Sequence, residues 1–383
     1  MSARRPRVVL LRGHSANLWD LRPWELLADR FDVSVLVTGS NPFDLSGLGL
    51  EVRPVRSVRD PLPAGRAGSA VAYGLGERYV GLKGELEGAD IVHSAEIGSW
   101  FSAQAAGLRQ ALGFSLALTV WETIPWRAAW RWPRERRYRK AVLPATDIFL
   151  PTSHRAALAL RLEGVEEGLI EYCPPGIDVE RFSAAATTPG AEGPGEPLIL
   201  SAGRLVWEKG HQDVIRAAAV LAGGLDGGEA MPGLRVMVVG AGPEARRLRG
   251  YADELGIGDR VEFRESVPYD EMPDVYARAA VMVLASLPRP GWEEQFGMVL
   301  VEAMAAGLPV IASSSGAIPE VVGGPPAELF APGDWPALAE QLRGRLRDRP
   351  GDRVQWPAER LARFSREAEA ERLAEVYEGL LKG

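Results

Sequence analysis

Two stretches of this chain concentrate residues that could act on an anionic, hydroxyl-rich molecule. The first, GRLVWEKG, puts Arg204 and Lys209 in one loop. Arginine can grip phosphate oxygens in a forked two-point contact, and lysine adds a compact charge. The chain has only four Lys among its 44 basic residues, so a Lys beside a loop Gly is less readily filler. A pair of ordinary surface cations fits the same residues. The second stretch, GWEEQFGMVLVEAMAAGLPVIASSSGAIPE, spans 291–320. A polar loop passes at Gly297 into MVLVEAMAA, a run of good helix formers, and Gly307 and Pro309 stop that helix before the buried strand PVIAS. A loop emptying into a helix start aims several backbone N–H groups at one spot, which suits a diphosphate. Glu294 lies in the loop and Glu302 on the helix. A carboxylate beside an anion site is electrostatically unfavourable, so Glu294 is expected to point away from the anion, towards sugar hydroxyls. Taken singly, the two are an ordinary loop acid and a solvated helix glutamate.

The elements that must position these residues alternate. RVVLL (7–11) and VSVLV (33–37) read as buried strands around the helix DLRPWELLADRF, and the rhythm returns at ADIVHS, GFSLALTVW and TDIFLPTS. It repeats in the second half at LILSAGR, HQDVIRAAAVLA, LRVMVVG, RVEFRESVP and AAVMVLAS. Continuous apolar strands alternating with helices predict parallel sheets covered on both faces, hence an α/β fold of two doubly wound domains with a cleft between them. GAG after LRVMVV is a weak dinucleotide fingerprint, because a third glycine is missing. Ligands in such sheets bind beyond the carboxyl ends of the strands. That rule selects Gly13, His14, His93, Trp121 and Glu122 as candidate cleft residues, with His14 and Glu122 the first to test. The Pro/Gly-rich SAAATTPGAEGPGEP reads as a linker. The expected organisation is a first domain over 1–185, a linker over 186–197, a second domain over 198–356 and a terminal helical segment over 357–383.

Composition narrows the classes. At 383 residues, with 46% hydrophobic and 25% charged side chains, the chain should form about two globular domains. Cys173 is the sole cysteine, which excludes an internal disulfide and fits a reducing compartment; its Pro-Pro-Gly surroundings read as a packed loop thiol. Only four apolar residues follow the N-terminal arginines, and no run nears the ~18 needed to span a bilayer, so a cytoplasmic protein is expected. Four scattered His and the lack of any Asp-x-Asp point to no metal cluster. The segment WRAAWRWPRERRYRKA (126–141) interleaves seven basic residues and one acid with three Trp and a Tyr. It suits an anionic membrane surface or an anionic acceptor, so peripheral membrane contact is one expectation. A solvated Arg-rich helix face with inward Trp residues fits equally. Residues 191–383 carry 21 basic and 30 acidic side chains, and this balance argues against nucleic acid as a partner.

The spacing of Gly-Arg…Lys-Gly, followed about ninety residues later by two glutamates and the Gly-Leu-Pro-Val turn, resembles the retaining glycosyltransferases of family four. EYCPPGIDVERF (171–182) likewise resembles that family's segment before the hinge. The resemblance implies a GT-B fold and transfer of a hexose from a nucleotide-diphosphate sugar to a hydroxyl acceptor, including lipid-linked or other glycans. It implies that Arg204 and Lys209 hold the diphosphate with amides near Phe296, Gly297 and Met298. Gln295 and Val299 flank that segment. It also implies that Glu294 meets the donor sugar, that Glu302 meets the ribose, that the last helix returns to the N-terminal domain, and that Arg and Lys stand in for a divalent ion. The chain departs from the family after LALTV, where Trp121 or Glu122 replaces a usual His, and after the first strand, where Gly13-His14 replaces paired glycines. A sugar phosphorylase, a nucleotide-sugar epimerase and a catalytically silent nucleotide-sugar-binding protein are the alternatives on the same fold.

Overall fold

The computed structural model describes residues 4–63, 65–127, 133–186, 196–225, 227–265, 267–348 and 352–382. The linker residues 187–195 and the central part of the basic-aromatic segment, 128–132, lie outside them.

The first sheet is built from β1 (Arg7–Gly13), β2 (Asp32–Thr38), β3 (Glu51–Val55), β4 (Ile91–Ala95), β5 (Ser115–Val120) and β6 (Ile148–Pro151), in the order β3-β2-β1-β4-β5-β6. Every pairing is parallel. Helices α1 (Leu18–Glu25), α2 (Arg66–Leu75), α3 (Trp100–Leu112) and α4 (Pro133–Val142) accompany it. Asn17 caps α1 by accepting from the Trp19 and Asp20 amides, and the helix stops at Glu25, earlier than its apolar pattern suggests. The strands are apolar on both faces because both are covered. Val8, Leu10 and Val35 enter one apolar cluster and Val9, Leu11 and Leu36 another.

The second sheet repeats the plan. Strands β7 (Leu198–Ala202), β8 (Arg235–Val239), β9 (Val261–Arg264), β10 (Val281–Leu284), β11 (Val310–Ser313) and β12 (Glu328–Phe330) lie in the order β12-β11-β10-β7-β8-β9, again all parallel. Its helices include α5 (Val179–Ala186), α6 (His211–Gly223), α7 (Met272–Arg278) and α8 (Met298–Ala305). In each sheet the strand order reverses between the first and fourth strands, and the open crevice at such a reversal is where doubly wound sheets place ligands.

The chain ends in α9 (Ala358–Ala362) and α10 (Arg366–Leu380), separated where Ser365 caps α10 by accepting from the Ala368 amide. Two compact units result: 1–176 with 365–383, and 177–364. The first boundary falls before α5, because Phe182 is buried against Tyr269 and Tyr276 of the second unit. The last helix belongs to the first unit: Ala370, Leu373, Ala374 and Tyr377 join the cluster under β1 and β2. The Tyr377 hydroxyl accepts from Trp24 Nε1 at 2.8 Å and lies 2.5 Å from His93 Nδ1.

Candidate functional site

In the second unit the loop after β7 carries Arg204 and Lys209, and the loop after β10 carries Ser286 and Glu294. Both loops therefore leave the carboxyl ends of the strands that flank the reversal. His211, at the start of α6, braces the first loop. Burial pushes its pKa down to about 4, so the ring is neutral at pH 7. Its Nδ1 lies 2.8 Å from Ser201 Oγ and its Nε2 lies 3.2 Å from the Arg204 carbonyl. A carbonyl only accepts, so Nε2 carries the proton and Nδ1 accepts from the serine. Gly210 follows Lys209 with φ +70°, and a Cβ there would lie 1.8 Å from the Ala285 carbonyl oxygen. Only glycine lets this loop cross so closely over the end of β10.

Lys209 and Glu294 meet at that crossing. The ammonium Nζ lies 3.0 Å from Oε1 and 2.7 Å from Oε2, with side-chain exposures of 14% and 6%. Ser286 Oγ donates to Glu294 Oε2 at 2.6 Å. The Glu294 carbonyl accepts from the Ala317 amide at 2.9 Å. Trp292 covers the lysine, its ring centroid 5.5 Å from Nζ, in a short hairpin that pairs with Arg289; Arg289 in turn donates to Glu208 at 2.9 Å. Glu294 therefore grips the lysine that the sequence reading assigns to the diphosphate. A buried ammonium needs a counter-charge, and the carboxylate supplies one. Arg204 is exposed, and its side chain has no hydrogen bond or ion pair among the described residues.

Gly297, with φ +89°, precedes α8, so the amides of Met298 and Val299 open the helix without intrahelical partners. Gln295 is half-buried, while Phe296 is buried against Phe364. Glu302 is turned inward. It is 4% exposed, it accepts from the Tyr276 hydroxyl at 2.6 Å, and burial raises its pKa. One carboxylate oxygen is thus engaged by the Tyr276 phenol. Ser286, Tyr276 and His211 were not singled out from sequence; Ser286 and His211 sit at the ends of the recognised AAVMVLAS and HQDVIRAAAVLA, whereas Tyr276 lies in α7, which the sequence pattern did not reveal.

In the first unit the amide of Gly13 donates to Tyr79 Oη at 2.9 Å, and that hydroxyl donates to the Leu36 carbonyl. His14 keeps a buried Nδ1 with no hydrogen-bond partner among the described residues, and burial lowers its pKa. His93 is fully buried, with Nε2 2.7 Å from Thr119 Oγ1. Glu122 accepts from the Ile124 amide at 3.0 Å and pairs with Arg127. Glu96 holds the adjacent Trp121 amide at 2.9 Å from a left-handed backbone of φ +65°, with its pKa raised to about 7 by burial. Gly13, His14 and the Trp121-Glu122 pair thus lie at carboxyl ends of strands in the first sheet, whereas His93, expected there too, sits in the middle of β4 with its ring fully buried. Among the described residues no three His, Cys, Asp or Glu side chains group as metal ligands, and no helix is long and apolar enough to cross a membrane.

Comparison with known proteins accounts for both sheets. Residues 24–181 match the model of Glycosyltransferase Family 4, and residues 188–370 match that of Glycosyl transferases group 1. A Nocardia farcinica protein named D-inositol 3-phosphate glycosyltransferase is 34% identical over 266 residues, 65% of this chain and 56% of the relative. A Mycobacterium tuberculosis GDP-mannose-dependent alpha-(1-6)-phosphatidylinositol monomannoside mannosyltransferase is 36% identical over 160 residues, 40% of each chain. The chain thus spans about half the length of these curated relatives. Sucrose-phosphate synthase from Thermosynechococcus elongatus superposes with a TM-score of 0.76 at 23% identity, covering 99% of this chain and 100% of that one, which establishes the fold. The two models follow one another along nearly the whole chain, each on its own six-stranded sheet, and the chain belongs to the family-four glycosyltransferases of GT-B fold.

Proposed function

We propose that the protein is a retaining hexosyltransferase that moves a hexose from a nucleoside-diphosphate sugar to a hydroxyl acceptor. The observation that carries this reading is the Lys209–Glu294–Ser286 cluster at the reversal of the second sheet, beside the exposed Arg204 and the start of α8. Breaking the bond from an anomeric carbon to a diphosphate builds negative charge on the leaving oxygen and positive character on the sugar. Arg204, Lys209 and the Met298 and Val299 amides take the leaving diphosphate, an arrangement that stabilises the developing charge more than the ground state. Glu294, held by Lys209 and Ser286, accepts from sugar hydroxyls. Glu302, oriented by its bond from Tyr276, meets the nucleoside ribose. These cations take the part of a divalent ion, so transfer proceeds without added metal. One relative is named for a cyclitol phosphate and the other for a phosphatidylinositol mannoside. These names support a hydroxyl on a polar ring, free or lipid-linked, as the acceptor.

The test is a thermal-shift screen of UDP-, GDP-, ADP- and dTDP-sugars, followed by transfer in chelator and proton NMR of the product's anomeric centre. A donor that raises the melting temperature and gives product of unchanged anomeric configuration supports the reading. An inverted product overturns retention, and activity that appears only on adding Mg²⁺ or Mn²⁺ overturns the metal-free leaving-group scheme.

A further inference from the structure

Helix α2 of the first unit is turned inside out relative to an ordinary surface helix. Its buried side is made of Gly68 and Ala72, whereas its exposed arc is Ala67, Ala70, Val71, Tyr73, Gly74 and Leu75. Val71 is 49% and Leu75 61% exposed, and they lie four residues apart on one stripe. No acidic residue occurs in the helix. Val80, 55% exposed, extends the apolar surface just beyond it. A surface helix normally presents charge to water, so an apolar arc of this extent marks an interaction site.

The rim of this arc is cationic. Arg134 of α4 donates to the Gly74 carbonyl at 2.6 Å and lays its guanidinium over the Tyr73 ring, 5.2 Å from the centroid. Behind it α4 carries Arg136, Arg137 and Lys140, all exposed, against a single acid, Glu135. The remaining cation, Arg139, is buried and neutralised by Glu163. Glu77, past the end of α2, is paired with Arg59 at 3.7 Å. Apolar side chains that dip into a boundary layer, bordered by cations that stay in the polar layer, match an anionic phospholipid surface in both shape and charge. We propose that α2 and α4 form an interfacial membrane-docking face that holds the first unit on anionic bilayers. The face goes beyond the donor-site reading and uses none of its residues, so either can fail while the other stands.

Flotation of the full chain tests it, with vesicles of phosphatidylcholine alone and of equimolar phosphatidylcholine and phosphatidylglycerol. The protein should float with the mixed vesicles about tenfold more than with the neutral ones, and about 1 M salt, where screening acts within ~3 Å, should remove most of that preference. The variants Val71→Asp/Leu75→Asp and Arg137→Glu/Lys140→Glu should each lower binding to mixed vesicles about tenfold or more. All four side chains are exposed, so melting temperature and the nucleotide-sugar thermal shift should not change. Equal binding to both vesicle types, or unchanged binding by either folded variant, overturns the proposal. A dimer in sedimentation velocity that Val71→Asp/Leu75→Asp abolishes, without vesicle binding, would assign the face to a second copy and overturn it as well.

Discussion

A lysine whose ammonium is gripped by a buried carboxylate cannot be replaced without consequences for both partners. Lys209→Ala removes a leaving-group donor and strands Glu294, whereas Arg204→Ala removes an exposed donor only. Both variants should lose about a hundredfold or more in turnover, but only Lys209→Ala should also lower the melting temperature. Activity within a few-fold of wild type in both would remove the diphosphate assignment. Glu294→Gln separates the roles further. It takes a counter-charge from Lys209, so nucleoside-diphosphate affinity measured by calorimetry should hold or tighten while transfer of the sugar falls. Weaker diphosphate binding would show that Glu294 does not serve the sugar. Arg204, Lys209, Glu294 and Glu302 were legible because their types and spacing are local. Their partners were not, because Ser286, Tyr276 and Ser315 reach them only through packing of separate strands and helices. The buried carboxyl of Glu369 adds a pH effect. Burial raises its pKa to about 8 in the fold, against 4.5 for a free glutamate side chain, with Arg12 and Arg372 opposing and Asp20 reinforcing the shift, while its Oε2 accepts from the Gly176 amide. The unfolded chain therefore gives up this proton first, and the group costs stability progressively as pH rises from about 4.5 to 8. Glu369→Gln, which keeps the acceptor without the charge, should melt higher than wild type at pH 8, by about 2–4 °C per kcal/mol gained. At pH 4 it should match wild type, and a gain equal at both pH values would show that ionisation is not the cause.

At the scale of elements, sequence finds the central strands and two of the four edge strands, β6 and β9. β1, β2, β4, β7, β8 and β10 are covered on both faces and read as unbroken apolar runs. The other two edge strands are another matter. β3 is EVRPV, with a proline and two charges, and β12 has three residues, so neither has a period to detect. The last helical run also reads as one element from its periodicity, yet it is cut at Ser365, where the cap and the passage between units coincide. What holds the donor loops is a backbone contact that no side-chain pattern reveals. Gly210→Ala would put a methyl group against the Ala285 carbonyl in a conformation that L side chains seldom adopt. It should displace Lys209 and lower turnover about a hundredfold with the β7 core intact, and near-normal kinetics would mean the crossing does not position the lysine.

At the scale of the whole molecule, two sheets of identical strand order each carry their own apolar clusters, and the chain visits the first unit twice. The return is made by α10, whose Tyr377 hydroxyl satisfies the buried Trp24 indole N–H and meets His93, a histidine kept neutral by burial. Tyr377→Phe keeps the ring and removes that acceptor. An orphaned buried donor costs roughly 1–3 kcal/mol, and this loss falls on the first unit. Nucleoside diphosphate, by contrast, is expected on the second unit, where ligand at about a hundred times its Kd adds about 2.7 kcal/mol. Calorimetric unfolding should then show two transitions that respond separately. Tyr377→Phe should lower one, nucleoside diphosphate should raise the other, and the variant should retain wild-type diphosphate affinity. If a single transition moved with both the substitution and the ligand, the two units would not be independent folding entities, and the stability of the donor site would depend on the C-terminal helix.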